Sequence, residues 1–502
     1  MFWFVLFVLL QMVVLVVGLY LLSTKFLYVQ FILMLLSILI VLWVINSPDN
    51  PSYKLAWAVP IALFPLVGGF FYLIFGNNRT PRDVREGMTR ALEDALPYIP
   101  SGDAGLEALR DLDKQAYCQA HYLDAQAYAP TFMHTYTDFQ TPGEQHFPVL
   151  LEELRRAERY IFMEYFIVRH GVMLDSILDM LEERARAGVD VRILYDDMGS
   201  LQTVPRGFVD ELAARGIKVL RFYPVSPRLD AFLNNRDHRK ITVIDGLVAF
   251  TGGVNLADEY INQFERFGYW KDSALMLKGD AAWRYAVMFL QTWALFSKEE
   301  HVDYASFLPD PARLLEVCAQ DGFVAPYGDD PVSSERISAS VYRNVIAAAQ
   351  DYLYIETPYF IPDNEILSAI ELAAKKGVDV RIVVPHIPDK KSVFLVTQAH
   401  YSRLIAAGVR VYEYTPGFIH TKGVVADDLY AVAGTVNFDY RSLYLHFECG
   451  AWMYRTRAVT QMRDDFLALL EDCQEITAAD TASYSIPKRF LQANLCLFAP
   501  LL

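Results

Sequence analysis

The feature that most constrains this chain is a long internal repeat. Ala157-Glu-Arg-Tyr-Ile-Phe-Met-Glu-Tyr-Phe-Ile returns as Ala349-Gln-Asp-Tyr-Leu-Tyr-Ile-Glu-Thr-Pro-Tyr-Phe-Ile. Gly188-Val-Asp-Val-Arg-Ile-Leu returns as Gly377-Val-Asp-Val-Arg-Ile-Val, and Ala213-Ala-Arg-Gly-Ile-Lys-Val as Ile405-Ala-Ala-Gly-Val-Arg-Val. The copies keep one order and lie about 190 residues apart, too far for a solenoid period, so two similar domains follow one another. Each copy opens with a β-rich run, Tyr160–Val168 or Tyr352–Phe360, and continues into an amphipathic stretch, Leu174–Ala187 or Ile366–Lys375. A glycine and a β-branched run follow, Val189–Leu194 or Val378–Val384, then a further helix and a short strand. Strands alternating with helices predict an α/β fold, helices packed on a sheet. The expected division is a connector at 77–135, a first domain at 136–305, a Pro- and Gly-rich linker at 306–335 and a second domain at 336–502.

Residues 1–76 are of another kind. Phe2–Leu22, Phe26–Ile45 and Leu55–Phe75 are apolar runs close to the roughly 20 residues of a membrane-spanning helix. They predict two or three transmembrane helices. Arg79, Arg82, Arg85 and Arg90 cluster after the third run, which places the following domains in the cytoplasm of a multi-pass cell-membrane protein. Five scattered cysteines without a CxxC pair agree with a reducing compartment. The net charge of −15 argues against a nucleic-acid partner.

The chemistry sits in the last third of each repeat. His238-Arg-Lys240 runs through Asp245 to Gly252-Gly253-Val-Asn255, and His420-Thr-Lys422 runs through Asp427 to Gly434-Thr435-Val-Asn437. Both read HxKxxxxD, a small-residue pair, then Asn. Each predicts a hairpin with a two-residue turn, Asp245-Gly246 or Asp427-Asp428. Residues i and i+2 of a strand share a face, so each histidine and lysine point the same way. In this register His238 falls opposite Gly253 and His420 opposite Thr435, leaving room for a ligand. An imidazole, a fixed cation and an amide suit a phosphate oxyanion. The other histidines, His446 among them, read as ordinary structural residues. No metal-binding pattern is present, and no catalytic metal or cofactor is expected.

Two such motifs are the hallmark that this chain shares with the phospholipase D superfamily, and it resembles most the bacterial cardiolipin synthases. Trp57-Ala-Val-Pro60, Pro65-Leu-Val-Gly68, Gly143-Glu-x-x-Phe147, Thr357-Pro-Tyr-Phe-Ile-Pro-Asp363, Gly434-Thr435-x-Asn437-x-Asp439-x-Arg441-Ser442 and the Ala499-Pro-Leu-Leu502 end carry the likeness. The resemblance implies N-terminal transmembrane helices followed by two tandem phospholipase D-like α/β sandwich domains sharing one active site. It implies that His238 attacks phosphorus to form a phosphohistidine and that His420 serves as acid and base. Lys240, Lys422, Asn255 and Asn437 would hold the non-bridging oxygens. Asp272 and Glu448 would orient the imidazoles, and Asp245 and Asp427 are expected at the hairpin turns as scaffold. The reaction implied is transfer between two phosphatidylglycerol molecules, giving cardiolipin and glycerol. Alternatives are hydrolysis, another phosphatidyl acceptor, or a membrane-anchored lipid-binding scaffold. Membrane phospholipids are the expected partners, and oligomeric state leaves no mark.

Overall fold

A computed structural model describes residues 13, 17–18, 20–21, 27–47, 49–76, 80–225, 234–297 and 301–501. The repeat folds as two sheets. The first has seven strands in the order Thr135–Gln140, Ala274–Gly279, Val248–Gly252, Lys240–Ile244, Tyr160–Tyr165, Asp190–Asp196 and Lys218–Phe222. Its parallel end, Tyr160–Tyr165 to Lys218–Phe222, comes from the βαβα run of the repeat, and its antiparallel end from the motif hairpin. The second sheet has eight strands and repeats this plan, with Tyr352–Glu356 between Asp379–Pro385 and the hairpin strand Gly423–Ala426.

Alternation along the strands divides three layers of core. Leu353 and Ile355 point to helices on the outer face of the second sheet, while Tyr354 points to its inner face. The inner faces of both sheets share one core with helices Ala282–Ser297 and Arg457–Leu469 between them. Helix Ala282–Ser297 is buried on nearly every side and correspondingly rich in apolar residues, with Arg284, Gln291 and Thr292 buried among them. The two tandem α/β domains are thus packed face to face across a common centre.

Parts of the expected connector and linker are structured. Residues of the former form helices Arg82–Ala95, Asp103–Leu112 and Lys114–Ala127, whose buried faces join the cores of both sheets. Within the latter, Phe323–Asp329 is the edge strand of the second sheet, paired with Glu448–Tyr454.

The apolar N-terminal region departs from the expected arrangement. Counted over fully described residues, no helix is long and apolar enough to cross a membrane. Most of the Phe2–Leu22 run lies outside the described residues, whereas Phe26–Ile45 corresponds to helix Leu27–Asn46. The Leu55–Phe75 run is not one helix. It breaks at Phe64 before Pro65 into Pro51–Leu63 and Pro65–Phe75. A residue preceding proline is pushed out of the helical region, and Phe64 has φ −131° and ψ 71°. The two short helices fold back on each other. A Cβ added at Gly68 would stand 2.7 Å from the Ile61 Cα, and the Tyr53 hydroxyl donates to the Gly76 carbonyl at 3.1 Å. The hairpin therefore starts and finishes at one end. Asn50 Nδ2 donates to the Tyr444 hydroxyl at 2.9 Å, and Leu501 packs against the hairpin, so the second domain holds its base.

Candidate active site

Both motif hairpins differ from the expected register by one residue. Ile244 pairs with Val248 and Ala426 with Tyr430, so the loops are Asp245-Gly246-Leu247 and Asp427-Asp428-Leu429. The first two residues of each loop take left-handed backbone, with φ of 53° and 69° in one and 58° and 56° in the other. Each leucine, expected to begin the returning strand, instead turns toward the core, and its N–H bonds back to Ile244 or Ala426.

Asp245 and Asp427 point away from the histidines and into the preceding turn of the repeat. Asp245 accepts from the N–H groups of Glu158, Arg159 and Tyr160 at 2.8–2.9 Å, and Arg313 donates to it at 2.8 Å. Asp427 accepts from Gln350, Asp351 and Tyr352 at 2.7–2.9 Å. Each carboxylate closes the loop that starts its domain's central parallel strand, satisfying three amide donors at once.

The corrected register changes what the small residues are for. Gly253 does not leave space opposite His238: a methyl there would overlap the Asp272 carboxylate. In the other half Thr435 donates its hydroxyl to Glu448. The small-residue positions accommodate the carboxylates, and the carboxylates hold the imidazoles. His238 Nδ1 lies 2.9 and 3.0 Å from the two Glu448 oxygens, and His420 Nδ1 lies 2.7 Å from Asp272 Oδ2. Each pair joins opposite halves of the molecule. Backbone bonds repeat the exchange: His238 N–H donates to the Phe447 carbonyl at 2.9 Å and His420 N–H to that of Lys271 at 2.7 Å.

A carboxylate can only accept, so each Nδ1 carries a hydrogen and each neutral ring presents a bare Nε2. Burial pulls His238 down to about 3 and His420 to about 4. Glu448 and Asp272 oppose this, while Lys240 and Lys422 reinforce it. Burial would raise both carboxylates, but the imidazoles facing them hold them below their ordinary range. Burial also lowers Lys240 to about 8 and Lys422 to about 7. The lysines donate to the carbonyls of their own motif histidines, Lys240 at 2.6 Å. The site at rest holds two neutral imidazoles and two ionised carboxylates.

The asparagines differ from each other. Asn255 Oδ1 accepts from Ile167 N–H at 3.0 Å and its Nδ2 donates to Tyr260 at 2.8 Å. Asn437 Oδ1 is buried without a partner. The strands end at Gly252 and Gly434, so strand alternation does not extend to either amide. Asp439 of the downstream block caps helix Tyr440–Tyr444 through Ser442 N–H at 2.9 Å.

Sequence reasoning passed over two groups at this site. Arg239, between the motif His and Lys, is buried against Glu164 and Thr292, and nothing in the motif marks it. His446 lies beside His238, with ring centroids 5.7 Å apart. Its place two residues before Glu448 in the chain was the available signal.

Two like-built half-sites, each an imidazole, an ammonium and a carboxylate, define a phosphodiester-transferring enzyme of the phospholipase D type. Comparison with known proteins narrows this. The family model described as "Cardiolipin synthase, PLD-like domain" matches residues 150–281 and 342–470, and one described as "Phospholipase_D-nuclease N-terminal" matches 35–77. The chain belongs to the cardiolipin synthase family of phospholipase D-like proteins. It is 38% identical to an uncharacterized protein of Streptococcus mutans over 92% of this chain and 99% of that one. It is 35% identical to a cardiolipin synthase of Halalkalibacterium halodurans over 99% of both chains. The crystal structure of a Haemophilus influenzae phosphatidylserine synthase has the same fold, with a TM-score of 0.57 at 16% identity over 74% of this chain and 97% of its own.

Two outcomes follow from the geometry. Gly253→Ala should displace Asp272 and lower kcat by about a hundred-fold, whereas Thr435→Ala, which removes one hydroxyl donor, should lower it about ten-fold. Steady-state kinetics on folded protein would show this; equal effects would contradict the packing of Asp272 against Gly253. Asp245→Ala and Asp427→Ala each strip three amides of their acceptor and should destabilise the fold by about 2–4 kcal/mol in denaturant titrations. An unchanged midpoint with lost activity would assign these carboxylates to chemistry instead.

Proposed function

We propose that this chain is a cardiolipin synthase that transfers a phosphatidyl group between two phosphatidylglycerol molecules, releasing glycerol. The observation that carries the reading is the pair of imidazole–carboxylate dyads exchanged between the halves, in a chain alike over its whole length to cardiolipin synthases. His238 Nε2 attacks phosphorus, and the bond to the glycerol oxygen breaks. That oxygen takes a proton from His420 and glycerol leaves. His420, now neutral, removes the proton from the second lipid's hydroxyl, whose oxygen displaces His238 from phosphorus. The covalent step divides one difficult displacement into two easier ones. Glu448 stabilises the ring charge that develops as His238 acquires phosphorus, through the same Nδ1 hydrogen bond.

His420 must be charged to act as an acid, although burial keeps it neutral at rest. The substrate's phosphodiester anion favours imidazolium, so binding itself supplies the condition for protonation. Lys240 and Lys422 supply positive charge for the non-bridging oxygens, joined by the Asn255 and Asn437 amides. Both lysines lose protons as pH rises through about 7 to 8, so KM for phosphatidylglycerol should increase above that range. A KM constant up to pH 10 would remove the lysines from substrate binding.

In phosphatidylglycerol vesicles containing EDTA, the protein should form cardiolipin and glycerol in equal amounts. Phosphatidate would identify water as the acceptor, and retained function in both His238→Ala and His420→Ala variants would indicate a scaffold. Protein quenched in alkaline detergent, where a phosphohistidine bond survives, should carry the substrate's phosphorus label on the peptide containing His238. Label on the His420 peptide would reverse the two roles.

The N-terminal region places the site at its lipid substrates, with the two domains on the cytoplasmic face. Helix Leu27–Asn46 exposes Phe31, Ile32, Leu35, Leu39, Leu42 and Trp43, and the hairpin exposes Leu55, Leu63, Phe64 and Leu73. At 1.5 Å per residue the hairpin helices extend about 20 and 17 Å, short of a hydrocarbon core of about 30 Å. The hairpin thus enters and leaves the bilayer on one face. In a Cys118→Ser background, Asp49→Cys and Arg82→Cys should react with an impermeant maleimide from the same side. Labelling from opposite sides would make the third run a span.

A further inference from the structure

The two half-sites are not equivalent, and the difference lies at one position. Phe447 and Lys271 make matching backbone bonds to the two motif histidines, which aligns Glu448 with Asp272 and His446 with Trp270. Both aligned rings sit two residues before their carboxylate in the chain and beside the imidazole that it holds. Trp270 stands 5.3 Å from the His420 ring and aims its Nε1–H at Asp272 Oδ2 across 3.5 Å. His446 stands 5.7 Å from the His238 ring, its Nδ1 3.7 Å from Glu448 Oε1. The indole is a permanent, uncharged donor, whereas an imidazole can donate as a neutral ring or as a cation.

Both nitrogens of His446 are buried without a hydrogen-bond partner. A buried polar ring left so is costly, and few groups are near enough to satisfy it. His238, His446 and Glu448 bring ligand atoms to within 4.8 Å of one another. Glu448 Oε2 already receives the Thr435 hydroxyl, and His238 Nδ1 reaches both oxygens, which leaves Oε1 facing His446. The ionisable groups around this carboxylate include His238, His446, Lys240, Lys422, Tyr342 and Cys449. The backbone N–H of His446 is taken by the Arg441 carbonyl.

We propose that His446 is a positioning residue that donates to Glu448 and holds His238 in the neutral, Nε2-bare form, making the His238 half-site the one that attacks phosphorus. The inference rests on the nucleophile assignment above. Its physical basis is asymmetry: one carboxylate is shared by two imidazoles, the other by an imidazole and an indole. Shared between two rings, Glu448 has less charge left to stabilise a proton on His238.

The test uses the full-length protein in phosphatidylglycerol vesicles, with His446→Phe and His446→Asn. Phe keeps the ring and removes both nitrogens; Asn restores an uncharged donor. His446→Phe should reduce kcat/KM about ten-fold near pH 6 and only two- to three-fold near pH 8, moving the acid limb of the profile upward. His446→Asn should recover most of the loss and return the acid limb toward its original position, because its amide restores a donor to Glu448. Thermal unfolding of each variant separates these effects from misfolding. A uniform loss at every pH that follows stability, with no rescue by Asn, would overturn the inference and leave His446 a packing residue. Label mapping on the same samples distinguishes the other failure: the phosphorus label on the His420 peptide of the unsubstituted protein would overturn the nucleophile assignment itself.

Discussion

The candidate active site depends on carboxylates exchanged between two domains. His238 belongs to the first half and its partner Glu448 to the second, while His420 and Asp272 reverse the arrangement. Neither half can orient its own imidazole. The shared core between the inner faces of the sheets therefore has a chemical role as well as a structural one. A small shift of one sheet against the other would lengthen both dyads together, and neither ring would remain in its Nδ1–H tautomer.

The same economy explains the motif aspartates. Asp245 and Asp427 lie at the far end of their hairpins, each holding three backbone amides of the loop that starts the central parallel strand. That strand runs alongside the hairpin strand into which the motif His and Lys lead. The aspartate thus fixes hairpin against sheet, and the sheet fixes histidine against carboxylate. The motif spacing already placed them at the turns as scaffold, and the three amides show what each one holds.

Near symmetry also makes the departures from it informative. Gly253 allows the short Asp272 carboxylate to approach, while Thr435 braces the longer Glu448. Trp270 and His446 occupy matching places beside the two dyads. Two-step transfer needs one imidazole that attacks and one that exchanges protons, and two identical half-sites could not make that choice by themselves. At the other end of the chain, Tyr444 and Leu501 tie the N-terminal hairpin to the second domain, so that apolar segment and the site share one frame.

Much of this was legible in the chain itself. The repeat, its α/β character and the two motifs are local patterns, and periodicity, motif spacing and repeat order survive without coordinates. Asp272 and Glu448 were found only through resemblance, because a residue far away in the chain leaves no local mark of its contact. The tertiary structure decided three things. It set the hairpin register, which depends on whether Leu247 and Leu429 enter the strand or the core. It broke the third apolar run, because Pro65 gave the close approach at Gly68 a place to turn. It also put His446 beside His238, since that neighbourhood exists only once Asp237 and Phe447, 210 residues apart, bridge backbone to backbone.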